Sequence, residues 1–446
     1  MARIALVPHP HMSGIIAVMG LGTQLMRLGH EVLLVGNKRV VDAAEERGFK
    51  TAQLLGSKVK GPIPHNGSVP TRWRNYKARM AYSLAKLGAD SVEELFAELR
   101  PDLVLVDQEM AHVAIPLLGM GINTGVSSNL MSLVEQPGVP PPSEYCVPGQ
   151  GARGSRLGIR WIWWRYRFRK WLAQTRNWIA SGRVNRATTL KALARLYGID
   201  PSMHLRFYEW LIPANLVSLP LLYTTPEALE LPYDLPPDTT YLGARVDESR
   251  RHAVSDLPPQ LARVLDRRDT DRQLVYCAFG AFFDGDDSTF LRLAIQALNR
   301  LDNVDVVVGL GGRGEVETLG PLAPHVVVFP WAPQINVLDV ADAALIHAGG
   351  GTICECAYFG VPFVTYPFDV NEQQGNASRA VYHQIGVLGD RDQDGVTEIL
   401  SKLQTVLSDP TIRSNAKSMK ERYRRSMADG RLSAVIDELV ERGAAR

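Results

Sequence analysis

The stretch from Trp331 to Asn376 constrains this chain more than any other: WAPQINVLDVADAALIHAGGGTICECAYFGVPFVTYPFDVNEQQGN. An apolar run, Ala343-Ala344-Leu345-Ile346, reads as a short buried strand. His347 follows, then Gly349-Gly350-Gly351-Thr352 open a helix that carries Glu355. Gly360-Val361-Pro362 ends that helix, and Phe363-Val364-Thr365-Tyr366 starts the next strand. Strand, turn, helix and strand in this order form a βαβ unit, the building block of doubly wound parallel sheets.

A strand that ends in glycines and opens a helix leaves backbone N–H groups pointing one way, and the helix dipole adds positive potential there. An anion such as a diphosphate binds well at such a place. Glycine lets the backbone approach the phosphates closely. Thr352 adds a hydroxyl donor and His347 a ring N–H. Glu355, a turn further on, can accept hydrogen bonds from a ribose diol. Trp331 offers a flat face for a base, and the Gln334 amide both donates and accepts.

The pattern W-A-P-Q, then H-x-G-x-x-T-x-x-E, G-V-P and E-Q-x-x-N resembles the donor signature of the nucleotide-sugar-dependent glycosyltransferases of the UDP-glycosyltransferase superfamily. The resemblance implies an α/β GT-B fold, with two doubly wound Rossmann-like domains facing a central cleft. By the same resemblance Trp331, Ala332 and Gln334 face the base, and Gly280, His347, Gly349, Gly350, Gly351 and Thr352 hold the diphosphate. Glu355 binds the ribose. Glu372 and Gln373 stand where the family has an Asp-Gln pair that contacts sugar hydroxyls. The acid here is Glu, and four residues rather than three separate it from Pro367. Phe279-Gly280-Ala281 replaces the family's Phe-Gly-Ser, which removes a hydroxyl from the phosphate site.

The same alternation runs through the amino-terminal half. Arg3 to Val7 reads as a strand, Ile15 to Leu28 as a helix and Gly29 to Val35 as a strand. Ser91 to Leu99 reads as a helix and Pro101 to Asp107 as a strand ending in a carboxylate. In doubly wound sheets ligands gather at that carboxyl end. Residues 134–154 are a Pro- and Gly-rich loop. The run 156–178 holds five of the chain's eight tryptophans. At helical spacing Trp161, Trp164, Phe168 and Trp171 share one face, with Arg165, Arg167, Arg169 and Lys170 on others. Two readings stand side by side. Either the helix rests on a membrane surface or forms an apolar acceptor mouth, or it packs its aromatic face on its own domain. The expected organisation is an acceptor-binding domain over 1–225, with the helical insert at 155–210, and a linker over 226–260. A nucleotide-sugar domain follows over 261–425, and a helix over 426–446 crosses back to the first domain.

With 446 residues, 46% hydrophobic and 22% charged, the chain has material for two sizeable cores. Its net charge of +2 argues against nucleic acid as a partner. Cys146, Cys277, Cys354 and Cys356 form no zinc spacing and read as buried thiols in a reducing compartment. No run reaches membrane-spanning length and no leader is evident, so a cytoplasmic location is expected, with peripheral membrane contact through 156–178 left open. A homodimer is likewise an open expectation.

The resemblance implies transfer of a hexose from a UDP- or dTDP-sugar to a lipophilic natural-product acceptor, with inversion and no metal or other cofactor. A base must take the acceptor's proton. The family's base is a histidine after the first strand, oriented by an aspartate that Asp107 matches. Here the histidine position falls on Gly14. His11, or His9, serves if the loop is shifted; otherwise Asp107 acts directly or the acceptor arrives already acidic. His11 and Asp107 are the catalytic candidates. Two rivals remain: a membrane-associated carotenoid or lipid glycosyltransferase, and a non-catalytic relative that binds nucleotide and stabilises a partner enzyme.

Overall fold

The computed structural model describes residues 1–56, 67–132, 135–207, 214–266, 271–280, 288–312, 316–368 and 372–444. Ala281, and with it the expected loss of a phosphate-binding hydroxyl, lies outside these residues.

The first sheet begins with β1 (Arg3–Val7), β2 (Glu31–Gly36), β3 (Lys50–Gln53), β4 (Leu103–Asp107) and β5 (Thr124–Ser128). They lie in the order β3-β2-β1-β4-β5, and Leu221–Tyr223 and Thr239–Tyr241 extend the sheet beyond β5. Every pairing is parallel. Strands such as Leu103-Val104-Leu105-Val106 are apolar at every position because helices cover both faces. The order reverses between β1 and β4, so the loop after β1 and the end of β4 open one crevice there. That crevice receives His9, His11 and Asp107. Helix α1 (Met12–Arg27) starts at its edge. The expected helix start at Ile15 moves three residues earlier, because His11 already takes the extended N-cap conformation.

The second sheet runs Val326–Phe329, Val304–Gly309, Gln273–Ala278, Ala343–Ile346, Phe363–Thr365 and Gly386–Leu388 in space, again all parallel. Its order reverses between Gln273–Ala278 and Ala343–Ile346. Gly280 and the His347–Thr352 turn therefore meet at the same crevice.

Residues 226–260 do more than connect. Thr239–Tyr241 pairs with Leu221–Tyr223, so the first sheet continues well into this passage. Tyr241 stacks on Tyr223, ring centroids 4.6 Å apart, and both are buried. The passage also carries Glu230, whose carboxylate accepts from the Ser132 N–H and pairs with fully buried Arg379 of the second domain at 2.7 Å. Helix Arg431–Ala444 returns to the first domain, placing Leu432, Ile436 and Leu439 in the core beside β1 and β2. The Asn123 side chain donates to its Leu439 carbonyl.

The Pro-rich loop is a clasp rather than an open mouth. Val139, Pro140, Pro141 and Pro142 are buried. The buried Trp163 indole donates to the Val139 carbonyl at 2.7 Å, and the Gly375 N–H of the second domain donates to the Pro142 carbonyl at 2.8 Å. Helix Arg156–Ala180 contains the expected 156–178 and presents Ile159, Ile162 and Trp163 inward. Its second aromatic face points out: Trp161 is 57% exposed, Trp164 56%, Phe168 47% and Trp171 48%. Of the two readings of this helix, packing of that face on its own domain is therefore corrected; periodicity locates a face but does not say which of two apolar faces is the inner one. Among the described residues no helix is long and apolar enough to cross a membrane.

Candidate functional site

The turn after Ala343–Ile346 is built by strain. Ala348 adopts φ +61°, a left-handed conformation that non-glycine residues rarely take, and is fully buried. The carboxamide of buried Asn376 holds it, donating to the Ala348 carbonyl at 2.9 Å. Gly349 then takes the N-cap position, and the helix Gly350–Phe359 starts with first-turn N–H groups that have no partner within the helix. Asn376 belongs to the E-Q-x-x-N pattern, but nothing in the pattern tells that it pins a strained peptide.

His347 is sandwiched between glycines. A Cβ at Gly280, which has φ +74°, would stand 2.7 Å from the imidazole Cε1, and a Cβ at Gly349 would collide with the ring as well. Burial pushes the His347 pKa down to about 4, opposed by the Ala278 carbonyl, so the ring is neutral near pH 7 and carries one N–H. That single N–H meets the Ala278 carbonyl, and it reaches a phosphate oxygen only by leaving that partner.

An interdomain cavity opens beside this turn, though His347 itself is not among the residues that line it. Ser13, Ile16 and Ala17 line it from α1; Gly280, Trp331, Ala332, Gln334, Gly351, Thr352 and Glu355 line it from the second domain. Trp331 is 60% exposed at its rim, free to receive a flat ring. Gln334 is less free than its sequence position implies. Its oxygen accepts from the Tyr276 hydroxyl at 3.0 Å, and its nitrogen donates to Glu355 and, at 3.4 Å, to Thr352. Glu355 also pairs with Arg250. A carboxylate has about four lone-pair sites, so acceptor capacity toward a diol remains.

Glu372 is the N-cap of the helix Gln373–Tyr382, and its carboxylate reaches Gly350 of the cradle. Burial raises its carboxyl pKa, while its own N–H, nearby Arg245 and the Gly350 N–H oppose that rise. The carboxylate thus shares the amide fork to which a phosphate would come. Gln373 is buried, and its oxygen accepts from the Phe368 N–H at 2.7 Å, which leaves its NH2 group as the part able to meet a hydroxyl.

On the opposite side Asp107 is buried. Its carboxylate accepts from the Glu109 N–H at 2.9 Å and the Asn129 amide at 3.2 Å, and interacts with the His9 N–H. Burial raises its pKa to about 7 against those donors. The His11 ring lies 3.0 Å from Ser13 Oγ. The space beyond Gly14 is taken: a Cβ there would meet the His9 carbonyl at 3.1 Å and the Asn129 amide at 3.3 Å. Asn129 therefore touches Asp107 from the side where a histidine at 14 would project. Neither Asn129 nor the linker residues Arg245 and Arg250 stood out in the sequence. They reach the cleft through long-range packing, and no local pattern announces that.

Among the described residues no group of His, Cys, Asp and Glu could hold a metal. The four cysteines are buried thiols.

Residues 292–441 match the erythromycin biosynthesis protein CIII-like, C-terminal domain. Two curated relatives are similar over part of the chain. NDP-glycosyltransferase YjiC of Bacillus subtilis (strain 168) is 26% identical over 174 residues, 39% of this chain and 44% of that protein. Demethyllactenocin mycarosyltransferase of Streptomyces fradiae is 28% identical over 207 residues, 46% of this chain and 44% of that protein. The matched stretch thus spans under half the length of either relative. Among solved structures, the calicheamicin glycosyltransferase CalG4 superposes with a TM-score of 0.65 at 17% identity, covering 99% of both chains. Glycosyltransferase VinC, solved in complex with dTDP, gives 0.63 at 17% identity, covering 99% of this chain and 100% of that one. At such identities the superpositions speak for the fold. The chain therefore shares the two-domain GT-B fold of these glycosyltransferases, and its residues 292–441 match the CIII-like C-terminal domain.

Proposed function

We propose that the protein transfers a hexose from a UDP- or dTDP-sugar to a lipophilic small molecule of natural-product type, with inversion and without a metal. The observation that carries this reading is the glycine-flanked, neutral His347 beside the N-terminus of the helix Gly350–Phe359, whose Gly351 and Thr352 line one cavity with Trp331. The relatives' activities support it. In the reaction an acceptor oxygen attacks the anomeric carbon as the bond to the diphosphate oxygen breaks. The electron pair leaves with the diphosphate, where helix N–H groups, His347 and Thr352 receive the developing charge. The acceptor's proton passes to Asp107 or to His11. Asp107 is the better placed in acidity, because a base near the operating pH works best.

The test is product formation, read by mass spectrometry with several nucleotide-sugars and an aglycone panel. Glycosylated product and nucleoside diphosphate should appear, and His347→Ala should abolish both. No release above that variant would favour the non-catalytic, nucleotide-binding rival.

The exposed stripe Trp161, Trp164, Phe168 and Trp171 favours a second reading, in which the enzyme meets a carotenoid or lipid acceptor at a membrane surface. Arg156, Arg160, Arg169 and Arg176 are exposed on the same helix, and the helix has no acidic residue. The wild type should sediment with vesicles containing anionic lipid, and replacing Trp161, Trp164 and Trp171 with Ser should release it. Wild type left in the supernatant would dismiss this reading.

A further inference from the structure

We propose that Arg245, from the passage between the domains, is the cationic ligand of the donor's diphosphate and couples donor binding to the first domain. The inference rests on the donor site proposed above and adds the charge that site otherwise lacks.

Arg245 is only 6% exposed and lines the interdomain cavity. One guanidinium nitrogen donates to the Asn129 carbonyl of the first domain. Its other terminal nitrogen, Nη2, points at the cradle, 3.5 Å from where a Cβ on Gly351 would stand and 3.7 Å from one on Gly350. Its Nε is buried with no hydrogen-bond partner, and among the described residues Arg245 forms no ion pair with a carboxylate. Asp107 and Glu372 feel its charge without contacting it.

This is an unusual place for a cation. A buried guanidinium left without a counter-anion costs several kcal/mol, so such groups are normally paired. Arg250, the other arginine of this cavity, is paired: Glu355 takes its charge. Arg245 keeps its own, facing the N-terminus of the helix Gly350–Phe359. A sugar diphosphate carries about two negative charges at neutral pH. The helix terminus offers about half a positive charge, and His347 is neutral. The guanidinium therefore supplies the balancing full charge, and its planar fork matches phosphate oxygens.

The position has a second consequence. The Arg245 backbone carbonyl lies against α1, where a Cβ on Gly20 would come within 3.2 Å of it. Its side chain holds the loop that carries Asn129, the residue that donates to Asp107. A diphosphate drawn to Arg245 is thereby tied through one side chain to the acidic group proposed to handle the acceptor.

The experiment measures binding of UDP, TDP, uridine and thymidine by calorimetry to wild type, Arg245→Met and Arg245→Lys, with thermal unfolding as a control for folding. The Met variant should bind UDP and TDP at least about 30-fold more weakly, the usual worth of a buried charge-assisted contact. Its nucleoside affinity should stay within about twofold of wild type. The Lys variant should keep diphosphate binding to within about tenfold, because it retains the charge but loses the fork; it also decides the matter should the Met variant misfold, since equal affinity of Lys variant and wild type in 0.05 M and 0.5 M salt would refute a forked ionic contact. Equal diphosphate affinity of Met variant and wild type overturns the assignment of Arg245 alone. A wild type that binds neither diphosphate overturns the donor site itself.

Discussion

At the residue scale the most informative group is Asp107. Burial holds its carboxyl far above its ordinary value of 3.8, at about 7. The neutral form is therefore preferred in the folded state. Its contribution is intact at low pH and is lost as pH rises from about 4 through about 7, because the folded protein then holds a proton that the unfolded chain has released. Asp107→Asn should gain stability relative to wild type between pH 5 and pH 8, by roughly 2–3 kcal/mol, the remainder of a shift of about three units falling below pH 5. Urea denaturation at the two pH values reads this, and a difference that does not grow with pH would show an ordinary carboxylate. If Asp107 is the base, the same variant should lose at least about 100-fold in turnover. His11→Ala should then leave the position of the acidic limb in the pH–rate profile unchanged; a limb that moves with His11 instead would make the histidine the base.

At the scale of elements, what could be read from the sequence was local. The strand–glycine–helix order around His347 was legible, because each part has its own short-range signal: apolar residues for the strand, glycines for the turn, Gly360 and Pro362 for the stop. The cradle, Trp331 and Glu355 followed from it. The inward engagement of Gln334, the strained Ala348 and its tether Asn376 were not legible, since they depend on where separate segments meet. The Pro-rich loop shows the same limit. Its composition announces a loop, but only the contact between Pro142 and Gly375 makes it a clasp. That contact can be tested by sign. Gly375 lies within the helix Gln373–Tyr382. In a free helix Gly→Ala stabilises by about 1 kcal/mol. Here a Cβ would stand 2.5 Å from backbone atoms of Pro142, so Gly375→Ala should instead destabilise by about 1–3 kcal/mol. A stabilised variant would mean that the clasp is open in solution.

At the scale of the whole molecule, two parallel sheets turn their switch points toward one cavity, and the passage between them contributes to both walls. Glu230 and Arg379 pair across the domains at under 4% side-chain exposure each, and removing one partner of such a pair typically costs about 3–5 kcal/mol. The arrangement keeps the acidic pocket of Asp107 and the anion cradle of His347 in register. Donor binding requires the cradle, where the Glu372 carboxylate faces the Gly350 N–H. The decisive measurement is a crystal structure of the protein saturated with UDP or TDP. The expected result is a diphosphate on the N–H groups of Gly350 and Gly351, beside His347 and Thr352, with Glu372 turned away from Gly350 and the base against Trp331. A nucleotide bound elsewhere, or a cradle still capped by Glu372 at saturation, would contradict it.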